Sequence, residues 1–307
     1  MAPADTVAPS RPCTGRFAPS PTGPLHFGSV VAAVGSFLEA RRHGGRWLVR
    51  MEDLDPPREA PGAADDILRT LDALGLHWDG EVLYQSRRHE AYAEALARLQ
   101  AGGRLYGCAC SRREVAEASA AAGRPGVYPG TCRNGVPRGR APRALRLRVD
   151  GETVGFADGL QGRVTVALAE TVGDFVVRRA DGLFAYHLAV VVDDAAQGVT
   201  QVVRGADLLG CTPAQIRLQN LLGLPVPAYV HLPVAVNAAG EKLSKQTGAR
   251  PVDTARPGVV LVQALDFLGQ DPPAELAAAP AAEVLAWALA HWDPARVPRT
   301  ATAPAPG

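Results

Sequence analysis

The sequence predicts an α/β protein in which helices pack on a parallel sheet. Strand-like and helix-like segments alternate over residues 12–103, and the alternation resumes over residues 174–250. The segment between them, residues 104–173, is rich in glycine, proline and arginine and holds only short β-like runs such as "ALRLRVD" and "RVTVALA". These observations indicate one discontinuous main domain with an inserted α+β subdomain.

The first half of the main domain alternates regularly. A strand is expected at residues 14–18 and a helix at 28–43, which ends at the glycines of "HGG". The run "RWLVRMEDLD" predicts a second strand that ends in acidic residues. Helices are expected in "PGAADDILRTLDALGLHWD", which begins with proline and acids, and in "RRHEAYAEALARLQAGG", which stops at glycine.

The second half repeats the pattern. A strand, a turn at "ADG" and an apolar segment follow one another in "DFVVRRADGLFAYHLAVVVDDA". The runs "GVTQVVRGADLL" and "AYVHLPVAV" predict strands, with the helix "TPAQIRLQNLLG" between them. Residues 251–293 are predicted to form a small helical appendix. Residues 1–11 and 294–307 are predicted to be disordered from their composition.

Composition sets the class of protein. The chain has 307 residues, a formal net charge of +1 and 47% hydrophobic residues, so a sizeable core is expected. It contains no apolar run long enough to span a membrane, and "MAPADTVAPSRPC" lacks the apolar stretch of a signal peptide. We expect a cytoplasmic protein without a membrane partner.

The stretch "GRFAPSPTGPLHFGS", residues 15–29, brings a proline-rich turn to the start of a predicted helix. The N-terminus of a helix presents backbone N–H groups and the positive end of the helix dipole, and both attract phosphate. Gly28 allows close approach to the backbone, and His26 can donate a hydrogen bond to a phosphate oxygen. Taken alone, the turn fits a nucleotide site and a plain surface loop equally well.

A second stretch, "GEKLSKQTG", places two lysines and a serine in a glycine-flanked loop. Such groups can neutralise the charge that develops on a departing pyrophosphate. On an α/β background, "LHFGS" and "KLSKQ" resemble the "HIGH" and "KMSKS" motifs of class I aminoacyl-tRNA synthetases, although Ser29 and Gln246 depart from them. The resemblance implies a Rossmann-like catalytic domain that uses ATP with Mg²⁺ as substrate. The implied ATP-binding residues are His26, Gly28, Ser29, Lys242, Ser244 and Lys245, of which His26 and Lys245 are catalytic.

Further segments narrow the resemblance to the glutamyl branch of this class. They are "RFAPSPTGPLHFGS", "VRMEDLDPPR", "YHLAVVVDD" and "RGADLL", and with "KLSKQ" they span residues 16–246. The resemblance implies L-glutamate as substrate; arginine forks suit its carboxylates and a carboxylate suits its ammonium group. The implied glutamate-binding residues are Arg16, Phe17, Ala18, Pro19, Ser20, Glu52, Tyr186 and Arg204.

The length of the chain after "KLSKQ", about sixty residues, is too short for the anticodon-binding part of a full glutamyl enzyme. The chain resembles the shortened paralogue of that branch. This implies glutamate activation without tRNA and then transfer to queuosine at the wobble position of tRNA(Asp). We expect the protein to be a monomer. Three alternatives are a shortened enzyme that charges a tRNA 3′ end, a ligase that forms a small amide, and a non-catalytic RNA-binding relic.

A cysteine cluster lies in the predicted insertion. Cys108, Cys110 and Cys132 offer three thiolates, which suit one structural Zn²⁺, and a fourth Cys or His is lacking between residues 104 and 173. Three free thiols are the alternative. The family resemblance supplies Tyr128 as the fourth ligand.

The insertion also carries a local excess of positive charge. Residues 104–150 contain ten arginines and three acids, which suits RNA phosphates, although an arginine-rich surface loop is the alternative. Arg143, Arg146 and Arg148 are predicted to share one face of a strand.

Overall fold

The computed structural model describes residues 13–42, 44–243 and 249–306. Within them the strands are β1 (Thr14–Phe17), β2 (Arg46–Met51), β3 (Leu83–Tyr84), β4 (Leu105–Cys108), β5 (Ala144–Leu147), β6 (Thr153–Asp158), β7 (Gly162–Ala167), β8 (Val176–Arg178), β9 (Gln201–Gly205), β10 (Ala228–Leu232), β11 (Val234–Val236) and β12 (Thr302–Pro304). The α-helices are α1 (Phe27–Arg41), α2 (Ala63–Ala73), α3 (His89–Ala101), α4 (Arg112–Ala121), α5 (Leu168–Thr171), α6 (Tyr186–Ala196), α7 (Thr212–Leu222), α8 (Pro257–Phe267) and α9 (Ala281–His291).

The predicted parallel sheet is confirmed. Strands β1, β2 and β3 pair in parallel, and β10 pairs in parallel with β9 and with the end of β6. The two groups adjoin where the backbone N–H of Thr200 donates to the carbonyl of Thr14 at 2.9 Å. Helix α1 packs on β1, β2 and β9, so its N-terminus lies at the carboxyl edge of the central strands.

The sheet pairing crosses the predicted boundary at residue 173. Strands β6 and β7 form an antiparallel hairpin within residues 104–173, and β6 joins the main sheet through β10. Conversely, β8 lies beyond residue 173 but pairs with β5, which pairs with β4. The insertion and the main domain therefore share strands, because short β-like runs do not reveal their partners in the sequence.

The C-terminal segment corrects the prediction of a disordered tail. The predicted appendix contributes to the main core, since Leu261, Ala264 and Leu265 of α8 are fully buried against α1. Residues 294–306 are ordered rather than disordered: Val297 is 2% exposed, and β12 pairs in parallel with β11. The prediction from composition was wrong because strand pairing and the burial of one apolar residue stabilise this proline-rich segment.

Local sequence explains the ends of several elements. Helix α4 begins with a capping box, in which Ser111 and Glu114 each accept the other's backbone N–H. Helix α7 ends at Gly223, whose φ of 61° favours glycine. The predicted strand "AYVHLPVAV" is interrupted at Pro233, which has no N–H to donate. Within the described residues, no helix is both long and apolar enough to cross a membrane.

Candidate active site

A cavity of about 600 Å³ opens at the carboxyl ends of β1, β2, β9 and β10, beside the N-terminus of α1. Open parallel sheets bind ligands at this edge. The described residues that were predicted to bind glutamate or ATP all line it: Arg16, Phe17, Ala18, Pro19, Ser20, His26, Gly28, Ser29, Glu52, Tyr186, Arg204 and Lys242. The other two predicted residues, Ser244 and Lys245, lie outside the described residues.

Arg16 and Glu52 line one wall of the cavity, and with Arg50 and Asp194 behind them they form a cluster of four charges. Asp194 Oδ1 accepts from Arg16 Nε at 3.1 Å and from Arg50 Nη1 at 2.8 Å, and Arg50 also contacts Glu52 at 3.3 Å. Burial opposes ionisation of Asp194, but the two guanidiniums lower its pKa. Burial raises the pKa of Glu52 against the opposing effect of Arg50. The four formal charges cancel one another.

Arg204 differs from this cluster because its partners are neutral. Its guanidinium is 6% exposed and donates to His231 Nε2 at 3.1 Å and to the Tyr186 hydroxyl at 3.3 Å. Its Nη2 donates to Thr212 and Gln215, at 2.8 Å each. Within the described part of the chain, Arg204 forms no ion pair with a carboxylate. A buried guanidinium with only neutral partners has no counter-charge among them, so an anionic ligand can supply one.

The other side of the cavity is formed by the start of α1. His26 is the N-cap residue of this helix, and its Nε2 lies 3.2 Å from the Ser29 hydroxyl. A Cβ added to Gly28 would lie 3.3 Å from the imidazole, so glycine allows the ring to lie against the first turn. This arrangement suits a phosphate group at the helix N-terminus.

The lysine-containing loop meets this edge at both of its described ends. Lys242 forms an ion pair with Asp207 at 2.5 Å, and Leu243 N donates to Ala235 O at 2.9 Å. Beyond the undescribed residues, Pro251 forms a backbone bridge with His26. The segments that flank Ser244 and Lys245 therefore lie at the same cavity.

The cysteine cluster has a donor set that fits a metal ion. The sulfurs of Cys108, Cys110 and Cys132 all lie within 4.8 Å of one another. The Tyr128 oxygen lies 3.4 Å from the first sulfur and 3.6 Å from the second, and accepts the Cys132 N–H at 2.9 Å. Burial opposes ionisation of Cys108, but the Tyr128 hydroxyl and Arg146 lower its pKa to about 7. The lowered pKa makes the Cys108 thiolate, the form that binds a metal ion, easier to form near neutral pH.

A second cavity, of about 730 Å³, lies between α4, β5 and the turn after β8, and Tyr186 lines both cavities. Its charged lining residues are Arg112, Arg143, Arg146, Arg179 and Asp181. Arg148, predicted on the same face as Arg143 and Arg146, is absent from this lining. It donates to Arg133 O at 2.9 Å, and its guanidinium lies over the Tyr106 ring.

Sequence reasoning missed Arg50, Asp194, Asp158 and His231. Asp194 had a signal, because a carboxylate inside the apolar run "LAVVVDDAA" requires a buried partner. Asp158 and His231 had none: they meet only because β6 pairs with β10.

The chain is similar to known proteins over most of its length. Residues 13–257 match the family described as tRNA synthetases class I (E and Q), catalytic domain. The fold is similar to a glutamate tRNA ligase from Elizabethkingia meningosepticum solved in complex with its amino acid. The TM-score is 0.78 and the identity 25%, and the match covers 96% of this chain and 67% of that one. Fold and cavity thus define a class I synthetase catalytic domain.

Curated relatives identify the family within this class. A glutamyl-Q tRNA(Asp) synthetase from Dechloromonas aromatica is 64% identical over 290 residues, which are 94% of this chain and 96% of that protein. One from Aromatoleum aromaticum is 58% identical over 303 residues, 99% of this chain and 95% of that protein. The chain belongs to the glutamyl-Q tRNA(Asp) synthetase family.

Proposed function

We propose that the protein activates L-glutamate with ATP, without tRNA, and transfers the glutamyl group to queuosine at the wobble position of tRNA(Asp). The observation that carries this proposal is the 600 Å³ cavity, in which Arg204, with no described carboxylate partner, shares the lining with the start of α1, which suits a phosphate group. A dicarboxylate and a nucleotide would thereby meet in one site. The family name of the relatives supports the acceptor.

The glutamate end of the site is defined by charged side chains that complement the charged groups of the substrate. Arg204 would bind one carboxylate, with the Tyr186 hydroxyl beside it. Glu52 would receive the ammonium group, which favours the ionised form that burial disfavours. Arg16 is already paired with Asp194, so it adds a second, partly neutralised cation.

The nucleotide end would hold ATP with Mg²⁺ against the first turn of α1. A carboxylate oxygen of glutamate attacks the α-phosphorus, and the bond to pyrophosphate breaks as glutamyl-adenylate forms. A hydroxyl of queuosine then attacks the activated carbonyl, and AMP leaves. Neither step needs a covalent enzyme intermediate, so His26, Lys242, Ser244 and Lys245 would act through positioning and electrostatics.

Exchange of labelled pyrophosphate into ATP tests the first step. We expect exchange that depends on glutamate and proceeds without tRNA. An RNA-binding relic would give no exchange, and a small-amide ligase would require a different acid. Either result would contradict the proposal.

The second cavity is the proposed binding site for the tRNA loop that carries the accepting nucleotide. It shares the wall at Tyr186 with the glutamate site, and within the described residues neither Arg112 nor Arg143 forms an ion pair. Arg179 is already paired with Asp55 at 3.2 Å and Asp181 at 2.7 Å. Two cations are therefore open to the phosphates of a single-stranded loop.

Replacing both Arg112 and Arg143 with alanine is expected to weaken tRNA binding and to reduce its salt dependence by about one phosphate contact per arginine. Pyrophosphate exchange should not change. Arg113→Ala is the matched control, because Arg113 pairs with Glu117 and is 86% exposed outside the cavity. Equal losses of tRNA affinity in the double variant and the control would contradict a specific binding site at the second cavity.

One structural zinc ion is proposed for Cys108, Cys110, Cys132 and Tyr128. When bound, it would join the strand β4 to the loop that carries Cys132. The close approach of three thiols and one phenol oxygen fits four ligands better than three free thiols, since each sulfur would otherwise lack a strong partner.

Tyr128→Phe is expected to lower zinc affinity at least about tenfold, measured by transfer of the metal to a chromogenic chelator. The control is Tyr106→Phe, which removes a buried hydroxyl that donates to Asp174 at 2.6 Å. Zinc held by Tyr128→Phe as tightly as by the parent would exclude the tyrosine, and purified protein without zinc would exclude the site.

A further inference from the structure

Two buried residues behind Arg204 form a chain of hydrogen bonds to it. Arg204 Nε donates to His231 Nε2 at 3.1 Å, and His231 Nδ1 lies 2.5 Å from Asp158 Oδ2. Both side chains of the His231–Asp158 pair are fully buried, and neither residue lines the cavity. They act on a ligand only through Arg204.

The chain of contacts admits one arrangement of protons. An arginine Nε–H can only donate, so His231 Nε2 must carry a lone pair. The imidazole proton is therefore on Nδ1 and points at the Asp158 carboxylate. A proton on Nε2 could be donated to the Thr212 hydroxyl, 3.2 Å away, but it would also face the Arg204 N–H, and the guanidinium would have to move.

Asp158 is itself fixed by the backbone. Its Oδ1 accepts the N–H groups of Leu160, Gln161 and His231, at 3.0, 2.9 and 3.2 Å. One oxygen thus holds the turn of the β6–β7 hairpin while the other holds the histidine. This divides the two oxygens between two tasks and orients the carboxylate rigidly.

We propose that Asp158 and His231 are positioning residues, which hold the Arg204 guanidinium in the orientation that binds a carboxylate of the substrate. The proposal rests on the proposed function, in which Arg204 binds glutamate. It assigns the β6–β7 hairpin, which sequence analysis placed in the inserted subdomain, to substrate recognition in the main cavity.

Asp158→Asn tests the proposal. Because Oδ1 accepts three backbone N–H groups, an asparagine would keep its oxygen there and turn its amide nitrogen toward His231 Nδ1. That nitrogen only donates, so the imidazole would take the opposite tautomer and present Nε2–H to Arg204. We expect the glutamate KM in pyrophosphate exchange to rise about tenfold or more, with the ATP KM and kcat nearly unchanged.

Asp174→Asn is the matched control. Asp174 is as buried as Asp158, since the whole residue, backbone included, is 4% exposed against 6%, and it accepts from Val149 N and the Tyr106 hydroxyl. It has no contact with Arg204, so its replacement should leave the glutamate KM unchanged. An equal rise in both variants would overturn the proposal, because it would report a general effect on folding.

Two further measurements decide the outcome if Asp158→Asn folds poorly. His231→Gln, whose amide oxygen can accept from Arg204, should raise the glutamate KM less than His231→Leu. Nitrogen-15 shifts of His231 in the parent protein should report the Nδ1–H tautomer, and the Nε2–H tautomer would overturn the proposal. If Arg204→Ala leaves the glutamate KM unchanged, the proposed function fails; if it raises the KM and Asp158→Asn does not, only this inference fails.

Discussion

Arg204→Ala is expected to raise the glutamate KM in pyrophosphate exchange by about 100-fold or more. Removing one partner of a buried, hydrogen-bonded charge pair costs about 2–5 kcal/mol, and each 1.4 kcal/mol is about tenfold in affinity. Arg204 is the buried cation of the cavity whose described partners are all neutral, so no protein carboxylate is left unpaired by its loss. The lost interaction energy therefore appears as weaker binding of glutamate.

Arg204→Lys provides the comparison that separates charge from shape. A lysine keeps the charge but cannot form the planar fork that contacts His231, Tyr186 and a carboxylate together. We expect a KM between those of the parent and the alanine variant. A glutamate KM in Arg204→Ala equal to that of the parent would contradict the assignment of Arg204 to glutamate.

Lys245→Ala is expected to slow adenylate formation by about 100- to 1000-fold at saturating ATP and glutamate. The lysine is expected to stabilise charge that develops as pyrophosphate departs, a charge that the bound substrates do not yet carry. The glutamate KM should change little, so the loss should appear in kcat. Pre-steady-state formation of labelled glutamyl-adenylate measures the rate directly.

Lys242→Ala is the matched variant in the same loop. Lys242 is paired with Asp207 at 2.5 Å, so much of its charge is already compensated. Its loss should slow adenylate formation less than the loss of Lys245. A Lys245→Ala enzyme that forms adenylate at the parent rate would remove the proposed role of this lysine.

How far the sequence predicts the site depends on whether its residues are adjacent in the chain. Arg16 lies in β1, His26 follows that strand and Glu52 follows β2, so the rule for parallel sheets already places them at one edge. The contact between Asp158 and His231 spans 73 residues and depends on which strands pair. Hydrophobic patterning does not encode that choice, so no motif signals the contact.

The C-terminal tail is a second place where the sequence does not reveal which segments make contact. Residues 294–306 have the composition of a disordered segment, yet β12 pairs with β11, whose Val234 and Ala235 line the main cavity. The Gln161 side chain also donates to Thr300 O at 3.1 Å and to His231 O at 2.9 Å. These contacts come from distant parts of the chain, and composition carries no information about them.

The acceptor of the glutamyl group tests the central claim most directly. Labelled glutamate should be transferred to tRNA(Asp) that contains queuosine, and nuclease mapping should place the label at the wobble nucleotide. The same tRNA without queuosine should remain unlabelled, as should tRNA(Glu). Label on the 3′ adenosine of tRNA(Glu), or equal labelling of tRNA(Asp) with and without queuosine, would contradict the account and indicate a shortened glutamyl-tRNA synthetase.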